Sequence, residues 1–337
     1  MTVIKKSMEF ILNKVNFIKD SRHKIKRLAW SIFRAALLIG LGYVIFYPVL
    51  YMISMGIRDV QDIYDITVNW VPKHFTLNNF TRVWLGIDYP ASLVNTLVIS
   101  LGSTLLLLGV CSMTAYGLSR FRFRGRNLMF MLVLFTIIVP QHFFALATYQ
   151  IYGEFTFFGV LDIYNLITGS ELSISLLDTY WTFLLPAMFG SGIRSGLYIY
   201  IFHQFFKGLP KELEEAAYID GCGFIKTFLK IILPSSVAVF VTVFLFSFVW
   251  HWNDYQLSSR FMGVDKQTLS SALVNLQGLL YEADANNITG LVDKVDPNQL
   301  SFDRQAASLM VVGPVIILYL ALQKFFTESI ERTGLVE

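Results

Sequence analysis

The chain has 337 residues, 55% of them hydrophobic and 15% charged, and a mean hydropathy of +0.55. That composition is too apolar for a soluble domain of this length and makes a membrane protein the class to test first. The formal net charge of +3 arises from lysines and arginines gathered on alternate loops, so it marks membrane orientation and does not imply a nucleic-acid partner.

In chain order, segment 1–27 carries Lys5, Lys6, Lys14, Lys19, Arg22, Lys24, Lys26 and Arg27 among Ile4, Met8, Ile11, Val15 and Ile18, which recur at three- and four-residue steps. The pattern predicts a cytoplasmic basic amphipathic segment on anionic membrane lipid, with a frayed tail as the alternative. No small-residue cleavage site follows, so a cleaved signal peptide is not expected. Apolar runs of the ~20 residues that cross a bilayer then fall at 33–53, 92–118, 128–149, 181–206, 235–253 and 304–325. The expected fold is all-α, a polytopic membrane protein with six transmembrane helices in a single domain, 28–337.

Basic residues orient the spans. Arg120, Arg122, Arg124 and Arg126 follow the second span, and Lys207, Lys211, Lys226 and Lys230 lie between the fourth and fifth, while the alternate loops hold few. The N and C termini and the 208–234 loop are therefore expected in the cytoplasm, with segments 157–178 and 275–302 as external insertions. Cys111 lies within a span and Cys222 in the cytoplasmic loop, where neither forms an external disulfide or a metal cluster; both read as small apolar fillers.

Several spans carry polar residues. Asn95, Thr96, Ser100, Ser103 and Thr104 in the second suit close helix approach or a wet cavity. Pro140, midway along the third, frees a backbone carbonyl beside Gln141 and His142; His142 is either a local hydrogen-bond partner or a group on a solute path. In the fourth span, GSGIRSG places Arg194 about 18 Å from the cytoplasmic end at helical rise. A guanidinium at that depth needs a cavity or a partner, so Arg194 is either a solute contact or a structural ion pair. Gly192 and Gly196 form a small-xxx-small pair there.

The 208–234 loop reads GLPKELEEAAYIDGCGFIKTFLKIILP. Pro210 precedes a helix whose first turn holds Glu212, Glu214 and Glu215, where the helix dipole favours acids. Ala216 and Ala217 keep one face thin, Gly221 breaks the helix, and Phe224, Ile225, Phe228, Leu229 and Ile232 form a second amphipathic run. The fifth span ends in FVWHWNDYQ.

These stretches carry a resemblance. Glu215-Ala216-Ala217, then Gly221, then Ile231, Leu233 and Pro234 are similar, without a gap, to the Glu-Ala-Ala loop of binding-protein-dependent ABC import permeases. PKHFTLNNF after the first span, AYGLSRFRFRGR after the second and the Trp-Asn-Asp element after the fifth resemble the carbohydrate-uptake, maltose-permease-like class of that family. The resemblance covers most of 28–337 and implies an ABC type I importer permease fold in the bacterial cytoplasmic membrane. It implies that Glu214, Glu215, Ala216, Ala217, Asp220 and Gly221 contact a cytoplasmic ATPase subunit. It further implies a heterodimer with a second permease subunit, two ABC ATPases that bind ATP and Mg, and an extracytoplasmic solute-binding protein; the external insertions, longer than this family usually has, are expected to extend toward that binding protein. Arg194, Trp250, Trp252, Asn253, Asp254 and His142 become candidates for a sugar path, although Trp250 and Trp252 equally suit an interfacial aromatic girdle.

No G-x-x-x-x-G-K-[ST] occurs in the chain, so it has no P-loop to cradle ATP. Nor does it show the paired carboxylates, Ser/His/Asp set or spaced His/Cys group of a catalytic or metal centre. The expectation is a transporter subunit without catalytic residues or cofactor of its own, carrying an oligosaccharide, with Arg194 leaving a uronate-containing glycan open. A permease for a non-sugar solute, an ion-coupled carrier and a membrane enzyme are the rivals.

Overall fold

The computed structural model describes the backbone of residues 2–139, 141–157, 159–286 and 298–334, and the side chains of 26–139, 143–157, 159–286 and 298–324. Pro140, the side chain of His142, the side chains of most of segment 1–27, residues 287–297 and the end of the C-terminal tail lie outside the described residues.

The chain is helical, and among the described residues only isolated bridges represent β-structure. Helix α1 (Thr2–Gly56) continues through residue 27 without a break. It is followed by α2 (Asn78–Gly86), α3 (Tyr89–Arg120), α4 (Arg126–Ile138), α5 (Ala145–Gly153), α6 (Val160–Thr168), α7 (Trp181–Met188) and α8 (Ser195–Gly208). Next come α9 (Glu212–Ile219), α10 (Phe224–Thr227), a π-helical turn (Phe228–Ile232) and α11 (Leu233–Ser235). The chain closes with α12 (Val237–Asn253), α13 (Ser258–Phe261), α14 (Leu269–Val274), α15 (Leu276–Ala285) and α16 (Gln299–Gly334).

Helix α3 is the central post, packed against α7, α8 and α12, while α16 packs on α1, α2 and α12. At one end Leu107, Cys111, Tyr116, Phe202, Phe206, Phe228 and Ile232 form a buried core joining α3, α8 and the π-helical turn. At the other, Val83, Ile87, Trp252, Leu269, Leu276, Leu280 and Ala307 join α2, α12, α14, α15 and α16. By contrast the most apolar stretch of α1 has no buried residue.

Two of the six expected spans are interrupted. The run at 128–149 stops at Ile138, and Val139 is extended at φ −78 and ψ 118. A residue before proline is disfavoured in the α region, and Pro140 follows. The run at 181–206 divides into α7 and α8 across Phe189 to Arg194, where Gly190 takes φ +67 and Arg194 φ +56. Arg194 therefore stands at the start of α8 and not within a continuous helix. Gly192 and Gly196 do not share a face either: a Cβ on Gly192 would meet Leu107 of α3, and one on Gly196 would meet Thr136 of α4. The fifth run joins α11 to α12 through an 82° bend. Among the described residues, three helices are long and apolar enough to cross a bilayer, Lys26–Gly56, Tyr89–Arg120 and Gln299–Lys324, or four with the bent pair counted as one.

Segments 157–178 and 275–302 both carry helix among their described residues. Helix α6 in the first is apolar and exposed at Val160, Ile163, Leu166 and Ile167. In the second, α15 belongs to the core, with Leu276, Leu280 and Ala283 buried. Beside them, buried Arg82 Nη2 donates to Asp284 Oδ2 (2.5 Å) and lies near Asp303. Gln299 Nε2 bridges Asp303 (3.0 Å) and Asn79 (2.7 Å), and Asn79 donates to the Gly56 carbonyl (2.8 Å). This network fastens α1, α2, α15 and α16 into one cap.

Candidate functional site

The 208–234 loop folds as a short helix, a glycine turn and a second helical run. Glu212, Glu214 and Glu215 occupy the first turn of α9. Gly221 adopts φ +77, where an L side chain is strained, and the Cys222 N–H reaches back to the Ala217 carbonyl (2.9 Å). The chain thereby reverses and enters α10.

The predicted contact residues of α9 divide between two faces. Glu214 and Ala217 turn inward and are buried, whereas Glu215, Ala216 and Asp220 face outward with Leu213, Tyr218 and Ile219. Glu214 Oε1 lies 2.8 Å from Arg120 Nε, both side chains being largely buried, and Arg120 Nη2 donates to the Leu209 carbonyl (2.7 Å). Burial pushes the Glu214 carboxyl above its ordinary range, against the opposing pull of the Arg120 charge. Glu214 is thus an anchor to the end of α3 and not a surface group. Below it, Tyr116 stacks on Phe224 (5.2 Å, 9° between planes) and meets Phe206 and Phe228 edge-on or tilted. The π-helical turn brings Phe228 and Ile232 onto this aromatic cluster. Sequence reasoning missed the anchoring roles of Arg120 and Tyr116; Arg120 was legible only as one of four loop arginines.

A second site forms where the broken helices meet. A cavity of about 410 Å³ is lined by the last turn of α4 (Thr136, Ile137, Ile138), the start of α8 (Arg194, Ser195, Gly196) and the end of α12 (Trp250, Asn253, Asp254). The Arg194 guanidinium lies 3.7 Å over the Trp250 ring, within cation–π range. Asp254 accepts from the backbone N–H groups of Ser258 (3.0 Å) and Leu257 (3.4 Å), starting α13.

Four of the candidate path residues, Arg194, Trp250, Asn253 and Asp254, therefore converge on one cavity. Trp252 does not. It is 1% exposed, and its indole N–H donates to the Val311 carbonyl (3.0 Å) on the opposite side of α12. A π-face needed for packing in the core is not free to stack on solute. His142 belongs to a one-turn helix, Gln141–Phe144, with its side chain outside the described residues. His251, not singled out by the sequence, is buried with Nδ1 2.7 Å from the Ser247 carbonyl and borders a neighbouring cavity of about 300 Å³. Among the described residues no three His, Cys, Asp or Glu side chains gather as metal ligands.

Residues 106–327 match the family model of the binding-protein-dependent transport system inner membrane component. The probable ABC transporter permease protein YurM of Bacillus subtilis (strain 168) is 27% identical over 84% of this chain and 81% of its own. The melibiose/raffinose/stachyose import permease protein MelC of the same organism is 29% identical over 78% of this chain and 82% of its own. The crystal structure of a bacterial ABC transporter involved in the import of the acidic polysaccharide alginate contains a chain that superposes with a TM-score of 0.62, at 20% identity, over 88% of this chain and 96% of that one. Its likeness is one of fold. With the matched segment spanning α3 to α16 and the fold shared, the chain belongs to the family of binding-protein-dependent transport system inner membrane components, as a membrane subunit and not an enzyme.

Proposed function

We propose that this chain is one of two permease subunits of an ATP-driven importer that moves a carbohydrate delivered by an external binding protein. The observation that carries the reading is the outward face of α9. Glu215, Ala216, Tyr218 and Ile219 are exposed there, while Glu214 and Ala217 lock the helix to the bundle. A helix fixed on one side and bare on the other transmits a push from a partner to the core it is anchored in. The partner is a cytoplasmic ATPase dimer that binds ATP and Mg, since this chain has no phosphate-cradling loop.

The six-span topology with both termini cytoplasmic is retained in this proposal, with α4–α5 and α7–α8 as broken spans. Irregular backbone at membrane depth is tolerated where it is covered by protein or lines a cavity, and both breaks border the Arg194 cavity or its neighbour. Closure of the ATPases around ATP would bias the two permease halves toward outward access, and hydrolysis would reset them. Carbohydrate is supported by MelC, whose name gives melibiose, raffinose and stachyose, and by an aromatic and amide lining suited to sugar.

The test is reconstitution of this chain with its neighbouring permease, ATPase and binding protein in liposomes. The expected result is glycan uptake that requires ATP and the binding protein. Uptake that persists without ATP, driven by an ion gradient, would replace this reading with that of a secondary carrier.

A further inference from the structure

The lining of the Arg194 cavity bears on the charge of its solute. Arg194 is the N-cap residue of α8 at φ +56, a left-handed conformation that disfavours a side chain. Its neighbours Gly190, Gly192 and Gly196 show that this stretch readily accommodates glycine. A costly backbone state occupied by a long cation marks a residue held for its side chain.

The guanidinium face rests on Trp250, which fixes its plane and leaves its edge N–H groups directed away from the ring. Among the described residues no carboxylate is ion-paired with it. The lining's one acid, Asp254, is engaged by the N–H groups of Leu257 and Ser258. The positive end of the 14-residue helix α8 opens at the same point, adding to the field that favours an anion. Across the cavity, the last turn of α4 carries carbonyls without intrahelical donors, because Pro140 has no N–H. Those carbonyls and the Asn253 amide suit hydroxyl groups.

We propose that this cavity takes an acidic glycan, with a sugar carboxylate read by Arg194 and the hydroxyls by the α4 end and Asn253. The inference rests on the permease reading and specifies its substrate class. Arg194 is the specificity-determining residue, since a planar guanidinium matches a carboxylate in two parallel hydrogen bonds.

The experiment uses the assembled importer in nanodiscs without its binding protein, so that the binding protein's own preference does not enter. Isothermal titration compares α-1,4- and β-1,4-linked uronate tetramers with the same tetramers after reduction of their carboxyls to hydroxymethyl groups. The expected result is that at least one uronate tetramer binds about tenfold or more tighter than its reduced twin. Arg194→Gln should bring that pair to within about twofold, and Arg194→Lys should keep part of the preference. Equal binding of each pair by the unaltered importer overturns the proposal, as does a preference unchanged in Arg194→Gln. So does failure to bind any tetramer by a complex that hydrolyses ATP. A complex that binds uronate selectively but never couples ATP to glycan uptake would leave this site assignment standing and contradict the permease reading instead.

Discussion

Arg120 and Glu214 show how a single ion pair fixes α9 to the end of α3. The two side chains are 6% and 9% exposed, so removing one leaves the other buried and uncompensated, at a cost of about 3 to 5 kcal/mol. Arg120→Ala should accordingly lower stability in detergent by that order, read by chemical denaturation. The sign of its pH dependence follows from the raised Glu214 carboxyl. The folded state binds that proton more tightly than the unfolded chain, so the contribution is fully present below the ordinary carboxyl value of 4.5 and is lost as pH rises through the folded one. Without Arg120 the folded value rises further, and the variant should lose more stability than the parent as pH rises above 4.5. The neighbouring tryptophans make a second pair of expectations. Trp252→Ala opens a core site and should cost about 3 to 5 kcal/mol. Trp250→Ala, at a 41% exposed position, should cost about 1 kcal/mol or less while changing glycan binding; equal losses in the two variants would refute the division of roles.

At the scale of elements, the breaks do the positioning. Hydropathy counts apolar residues and is blind to the backbone, so it located the runs at 128–149 and 181–206 but read each as one helix. The cues to the breaks were local: Val139 precedes a proline, and Gly190-Ser191-Gly192 interrupts an otherwise helical run. The Glu-Ala-Ala loop was legible in outline because dipole-favoured acids, thin alanines and a turn glycine are sequence-local signals. Which α9 residues face inward was not, since that depends on Arg120, more than 90 positions before Glu214. The meeting of Arg194 with Trp250 was likewise hidden, because it joins two helices that hydropathy treats separately. One contact tests the broken-span packing directly. A Cβ at Gly196 would stand 2.2 Å from Thr136 Oγ1 and 3.0 Å from the Val133 carbonyl. Gly196→Val should therefore force α4 from α8 and cost about 1 to 3 kcal/mol, while Gly208→Val, with nothing within 4 Å, should fall well below that in the same denaturation assay.

For the molecule as a whole, two cores at opposite ends are joined by α3 and α12. One end presents α9, and the other is fastened by the Arg82, Asp284, Asp303, Gln299 and Asn79 network. The Arg194 cavity lies at the far end of α12, at Trp250, Asn253 and Asp254, and the bent α11–α12 connection joins the other end of that helix to the loop. This arrangement allows a chain without a motor to be driven from one side. The central claim is that the outward face of α9 receives the stroke of an ATPase, and the most direct measurement is ATP-driven uptake by the reconstituted importer carrying Glu215→Ala together with Gly221→Ala. Uptake should fall at least about tenfold, as a loss of some 1.4 kcal/mol or more in coupling requires, with ATPase lost on purification and the chain still in the membrane. Uptake and ATPase retention equal to those of the unaltered importer would contradict the account.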